Sequence, residues 1–176
     1  MIRGILIALA VVIALVAVIV LVGALLPREH RASSSITLKQ PPEAIWVVIS
    51  DPAGVPGWWP DVTASQQQPA VDGRARWQQT TKDGYTMVLE VELSQPPRLL
   101  KTLIVTKPGD PFGGTWTYEL APADGGTTLT ITEDGWVANP IFRAMMRVMG
   151  THRTLDSYLA ALGRRFGEST PPVHVD

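Results

Sequence analysis

Residues 4–26 form an uncharged, almost wholly aliphatic run ahead of a chain that otherwise reads as one soluble domain. At ~1.5 Å of rise per residue this run makes a helix of about 34 Å, enough for the ~30 Å hydrocarbon core of a bilayer. A helix buried in a soluble core is rarely this apolar on every face. A cleaved signal peptide is the competing reading, but its apolar core spans only ~7–15 residues and ends at a small-x-small site. Only Val22-Gly23-Ala24 resembles such a site, and Leu25 and Leu26 follow it. The run is therefore read as a retained single-pass membrane anchor. On this reading residues 1–27 are the transmembrane segment, 28–32 a linker, 33–167 the folded domain and 168–176 a disordered tail around Pro171-Pro172.

Charge on the flanks says little about orientation, because Arg3 and the amino terminus on one side nearly balance Arg28, Arg31 and Lys39 on the other. The short leading tail favours an extracytoplasmic domain. With no cysteine there is no disulfide framework, which fits either side. The formal charge of −1 is spread without blocks, so nucleic acid is not an expected partner.

The domain alternates between two periodicities. Residues 33–39 read as a short strand, and Pro41-Pro42-Glu43 opens a helix with Ile45, Val48 and Ile49 on its apolar face and Trp46 alongside. Ser50-Asp51-Pro52 stops it, and the Pro/Gly-rich stretch that follows carries Trp58 and Trp59. Strands are expected over 74–80, 85–93, 99–107, 115–120 and 127–133. The clearest is 85–93, with Tyr85, Met87, Leu89, Val91 and Leu93 on one face and Glu90 and Glu92 on the other. Lys82-Asp83-Gly84 and Asp124-Gly125-Gly126 are turn signals between them. Asn139 and Pro140 then open a helical stripe of Ile141, Met145, Val148, His152, Leu155, Leu159, Leu162 and Phe166, with a bend expected at Gly150. This order makes an α+β domain in which an antiparallel sheet curls around a long C-terminal helix.

The opening, Ile36-Thr37-Leu38 through Pro41-Pro42-Glu43-Ala44-Ile45-Trp46 and on to Trp58-Trp59-Pro60-Asp61, resembles that of the SRPBCC superfamily. The superfamily includes START-related and polyketide cyclase/dehydrase-like domains. Trp116-Thr117-Tyr118-Glu119-Leu120, Leu129-Thr130-Ile131-Thr132-Glu133 and Asn139-Pro140-Ile141-Phe142-Arg143 match as well. The resemblance implies a helix-grip (START-like) fold, here behind one transmembrane helix, whose sheet and terminal helix enclose a hydrophobic cavity. It also implies binding of lipids, sterols, polyketides or other apolar molecules, with catalysis in a minority of members.

Candidate ligand-binding residues are Trp58, Trp59, Trp77, Tyr85, Met87, Leu89, Trp116, Tyr118, Phe142, Met145 and Met149. The methionines, Met146 among them, adapt their shape to variable apolar ligands; an ordinary core is the bland reading. Arg143 and Arg147 beside them offer a third reading, a basic amphipathic turn at a lipid surface. Glu133 shares parity with Leu129 and Ile131 and so points inward, unless a bulge at Gly135 turns it out. With His152 and Tyr85 it is a candidate acid/base group. No attended nucleophile, phosphate loop or metal spacing is present: His30, His152 and His174 are scattered along the sequence, and no cofactor is implied. The leading expectation is a membrane-tethered binder of a hydrophobic small molecule or lipid. The alternatives are a cyclase, dehydratase or isomerase acting on an apolar substrate, and a partner-binding module whose cavity is closed.

Overall fold

The structure, a computed structural model, describes residues 2–175. In chain order it runs α1 (Ile2–Leu25), β1 (Glu29–Leu38), α2 (Pro42–Ile49), a 3-10 turn (Pro52–Gly57), β2 (Val62–Val71), β3 (Arg74–Thr81) and β4 (Thr86–Gln95). It continues with β5 (Leu99–Ile104), β6 (Phe112–Ala123), β7 (Gly126–Val137), α3 (Pro140–Met149), α4 (Arg153–Arg165) and β8 (Val173–His174). The strands form one sheet in the order β2-β3-β4-β5-β6-β7-β1-β8, and each paired neighbour is antiparallel.

Local chemistry sets the connections. The β2–β3 turn is Asp72-Gly73 with φ of 51° and 76°, the positive-φ pair that matches the twist of a tight hairpin. Asp124-Gly125 closes β6 onto β7 with only the glycine at positive φ, 77°. Gly150, at φ 88°, ends α3 where a bend was expected. The two helices on either side of it go to different places.

Antiparallel partners share a face, so the register identifies one concave surface. It carries Ala32, Ser34, Ile36 and Leu38 of β1, Leu129, Ile131 and Glu133 of β7, and Trp116, Tyr118 and Leu120 of β6. It continues through Leu100 and Thr102 of β5 to Leu89 and Val91 of β4 and Trp77 of β3. Helix α4 lies across the β1 and β7 end, where Leu155, Leu159 and Leu162 are fully buried with Ile36, Leu38, Leu129 and Ile131. Burying each of these leucines contributes roughly 1.5–3 kcal/mol. A side chain at Gly163 would stand 3.2 Å from Ile36 Cδ1, so the glycine lets the helix sit close to β1.

Four expectations change. First, β1 begins at Glu29, paired with Trp136, so residues 29–32 are strand and not linker. Second, residues 62–71, read without a strand, form the edge strand β2. Its Gln66-Gln67-Gln68-Pro69 sequence carries no alternation, because an edge strand facing water needs none.

Third, the tail is held. Glu168 carboxylate oxygens accept from the Lys39 amide at 3.0 and 3.1 Å, β8 pairs with Ser34 and Ser35, and the Val175 amide donates to the Ser33 carbonyl. Asp176 and Met1 lie outside the described residues. Fourth, the stripe from Ile141 to Val148 does not join the core. Helix α3 leans instead on the end of α1, where Arg143 Nε donates to the Gly23 carbonyl at 2.8 Å. Glu90 does lie on the face opposite Leu89, yet it is buried there under Arg74 and Arg76, whose guanidinium groups hold its carboxyl below the ordinary value.

Helix α1 is long and apolar enough to cross a membrane, and its most hydrophobic stretch is not buried by the rest of the molecule.

Candidate ligand-binding site

Beneath the start of α4 the concave face is filled by aromatic rings. Tyr158 of α4 is their hub: Trp58 and Trp59 meet it edge-on with centroids 5.0 Å away, Trp116 lies at 5.6 Å and Tyr118 at 5.9 Å. Such edge-to-face pairs add ~0.5–1.5 kcal/mol each beyond the area they bury. Burial pushes the Tyr118 and Tyr158 phenols well above their ordinary value, while the Thr102 and Tyr158 hydroxyls act as hydrogen-bond partners that pull Tyr118 back down. Both phenols are neutral at physiological pH. They are hydrogen-bonding groups inside an apolar wall.

Trp59 is fixed from the polar side as well. Its Nε1 donates to Ser157 Oγ at 3.2 Å, and that hydroxyl donates to Asp61 Oδ2 at 2.6 Å. Lys82 pairs with the other carboxylate oxygen. The Lys82 and Ser157 bonds hold the Asp61 carboxyl below its ordinary value. A loop residue, a strand-turn residue and a helix residue thus lock one indole in place.

Past Trp116, which touches Tyr158 of α4, the same concave face continues, apolar but only half-buried, through Trp77, Met87, Leu89, Val91 and Ile104. Tyr85 stands at its rim against Phe112, centroids 5.0 Å apart, and burial with the Asp110 charge raises its phenol. A polar pair lies beside Trp116 on this face. Glu133 lies opposite Trp116 in the register and its Oε1 is 3.4 Å from His30 Nε2. Gly135 makes the room, since a Cβ there would stand 2.6 Å from the His30 ring. The register runs through Gly135 without a bulge, so Glu133 keeps its inward parity. The sequence does not expose the role of His30, because that depends on β1 starting at Glu29 and not after the expected linker; the signal for Tyr158 is its place three residues after Leu155 on the buried side of α4.

Other expected residues go elsewhere. Phe142, Met145 and Met149 are exposed on α3, outside the grip. Arg143, read as a surface group for lipid, is buried against the Gly23 and Val137 carbonyls. His152 precedes α4 and stacks on His174 of the tail, ring centroids 3.8 Å apart, while His174 also meets Asp156 at 2.9 Å. These two histidines brace β8 and do not line the concave face. Among the described residues no group of three or more His, Cys, Asp or Glu side chains is assembled for a metal ion. A groove of about 130 Å³ opens between the α1–β1 connection and α3, lined in part by Leu26, Arg28, His30, Met146 and Arg147.

A curved antiparallel sheet closed on a C-terminal helix, with an apolar concave face, defines the helix-grip class of hydrophobic-ligand domains. The chain belongs to the polyketide cyclase / dehydrase and lipid transport family, whose family model matches residues 29–166. Solved structures share the fold. A START superfamily protein from Mycobacterium smegmatis is 20% identical, with a TM-score of 0.66 over 77% of this chain and 96% of that one. The Zhui aromatase/cyclase from a Streptomyces species is 16% identical, with a TM-score of 0.64 over 77% of this chain and 93% of that one. The di-domain ARO/CYC StfQ from the steffimycin biosynthetic pathway is 13% identical at a TM-score of 0.61; the match covers 79% of this chain and 52% of StfQ. Among curated proteins nothing matches the chain.

Proposed function

We propose that this protein binds a hydrophobic small molecule or lipid on the open half of its concave face while α1 holds it in a membrane. The observation that carries the reading is a contrast along one surface. Where α4 covers it, Tyr118, Leu129 and Ile131 are buried. Where α4 ends, Trp77, Met87, Leu89 and Ile104 keep the same apolar character and stay half-open. A contiguous apolar stretch left half-open on a concave face is the kind of surface that meets an apolar ligand. The tether is supported by the composition of α1 and by its contact with α3, which a cleaved leader would not need.

The test uses the full chain in detergent or lipid nanodiscs, titrated with a fluorescent fatty acid and a fluorescent sterol. Saturable binding is expected, weakened at least tenfold by Leu89→Trp, which fills the open half. If neither probe binds saturably and no apolar molecule is carried through purification, the reading fails and a partner-binding module takes its place.

The His30–Glu133 pair favours a second reading, acid/base chemistry on the bound molecule, of the cyclase or dehydrase kind for which the family is named. A carboxylate and an imidazole facing an apolar wall can pass a proton to and from a carbonyl or hydroxyl held against Trp116. On this reading Glu133→Gln keeps probe binding and abolishes any loss of water from a bound β-hydroxy ketone, followed by mass. If the wild-type chain leaves such a ketone unchanged, binding alone remains.

A further inference from the structure

Helix α3 presents an apolar face that the protein leaves uncovered. Ile141, Phe142, Met145, Val148 and Met149 are 38, 49, 46, 88 and 49% exposed, and their spacing places them together along the helix. The opposite side is the one that binds the protein. There Arg143 is buried, donating to the Gly23 carbonyl at 2.8 Å and to the Val137 carbonyl at 3.3 Å. Gly23 touches Pro140 so closely that a Cβ on it would stand 1.8 Å from the Pro140 oxygen.

These contacts set a depth. From Arg3, the only charge within α1, to Gly23 is about 20 residues, or ~30 Å of helix, the thickness of a hydrocarbon core. The Gly23–Arg143 junction therefore falls where the span meets the headgroups. Helix α3 packs against this end of α1, and each helix keeps exposed aliphatic side chains. Arg28 and Arg147, both exposed, line the groove at this junction, at the level of lipid phosphates.

We infer that α3 is an interfacial helix: it lies in the bilayer surface with Ile141, Phe142, Met145, Val148 and Met149 among the acyl chains. The occupant of the apolar face is the bilayer that α1 spans, so the inference rests on reading α1 as a span. Apolar side chains on one side, with arginine on the other at the level of the headgroups, are what an interfacial helix requires. The domain is then held at two places, by α1 and by α3, and its orientation to the membrane is fixed.

The chain has no cysteine, so single cysteines report cleanly. The full chain is reconstituted in vesicles containing anionic lipid. Val148→Cys, Ile13→Cys and Gln66→Cys each carry an environment-sensitive fluorophore, and quenchers are attached to lipids at shallow and deep positions. The inference expects blue-shifted emission and loss of intensity at Val148 with the shallow quencher, deep quenching at Ile13, and neither at Gln66 on the distant strand β2. Adding Met145→Glu should release Val148 to water while Ile13 stays deep. An unquenched, water-exposed Val148 beside a deeply quenched Ile13 overturns the interfacial helix and leaves the span intact; an unquenched Ile13 overturns both.

Discussion

Arg143 reaches from α3 to the backbone of α1, donating from Nε to the Gly23 carbonyl at 2.8 Å. The guanidinium is buried and Gly23 is the one buried residue of α1. A charged group placed against a helix-end carbonyl gains both a charge-assisted bond and the negative end of the helix dipole. The junction therefore ties helix α1 to the domain.

Gly23→Val should open that junction, because its side chain would meet the Pro140 backbone, which cannot swing aside as a side chain can. In hydrogen exchange on the full chain, α3 amides are expected to lose protection while β6 and β7 amides keep theirs. Equal protection of α3 in both proteins would mean that the junction does not hold the helix.

Leu159→Asp should abolish cooperative folding of the domain. Leu159 is 0% exposed between α4 and the sheet, and an unpaired carboxylate there carries a desolvation penalty of several kcal/mol, comparable with the ~5–15 kcal/mol stability of a typical domain. Thermal unfolding by circular dichroism tests it: an unchanged transition would show that α4 does not pack as described.

Ser157→Ala removes the hydroxyl between Trp59 and Asp61 and should destabilise by roughly 1–3 kcal/mol, with a shift in tryptophan emission. The pH dependence follows from Asp61, whose carboxyl lies below its ordinary 3.8 because of Lys82 and Ser157. Its stabilising contribution is present above pH 3.8 and is lost as pH falls through the depressed folded value. Asp61→Asn should remove that part of the acid limb; a limb of identical shape would exclude Asp61 as a source.

Alkali tests the aromatic cluster. Tyr118 and Tyr158 are neutral in the folded protein well above pH 10.0, whereas in the unfolded chain they ionise there. Stability is therefore intact below pH ~10 and falls as pH rises above it. Phenolate absorbance is expected in two phases, Tyr85 first and the buried pair only with unfolding. Tyr158→Phe should reduce the second phase. A single smooth titration of all three tyrosines would contradict their burial.

Strand alternation in 85–93 and 127–133, the Asn139-Pro140 helix start and the break at Gly150 were legible because each depends on neighbours a few residues away. Asn139 Oδ1 does accept from the Ile141 amide at 2.8 Å, and Gly150 does end α3. The inward parity of Glu133 was equally readable, since a period of two needs no partner. His30 was not, because its meeting with Glu133 spans 103 residues and depends on β1 starting at Glu29. The His152–His174 stack had the same obstacle: the tail's strand exists only because the edge of β1 is free to pair with it.

The sequence by itself determined the anchor-like helix, the α+β class and most of the strands, since hydrophobic period and turn chemistry are local properties. Only the tertiary structure decided where each apolar face goes. Leu155, Leu159 and Leu162 turn to the sheet and the Met145 face turns to the outside, although both read as one continuous stripe. The physical reason is that a stripe records the wish to leave water and not the surface that grants it; the break at Gly150 and the Arg143–Gly23 junction sent the two halves to different partners.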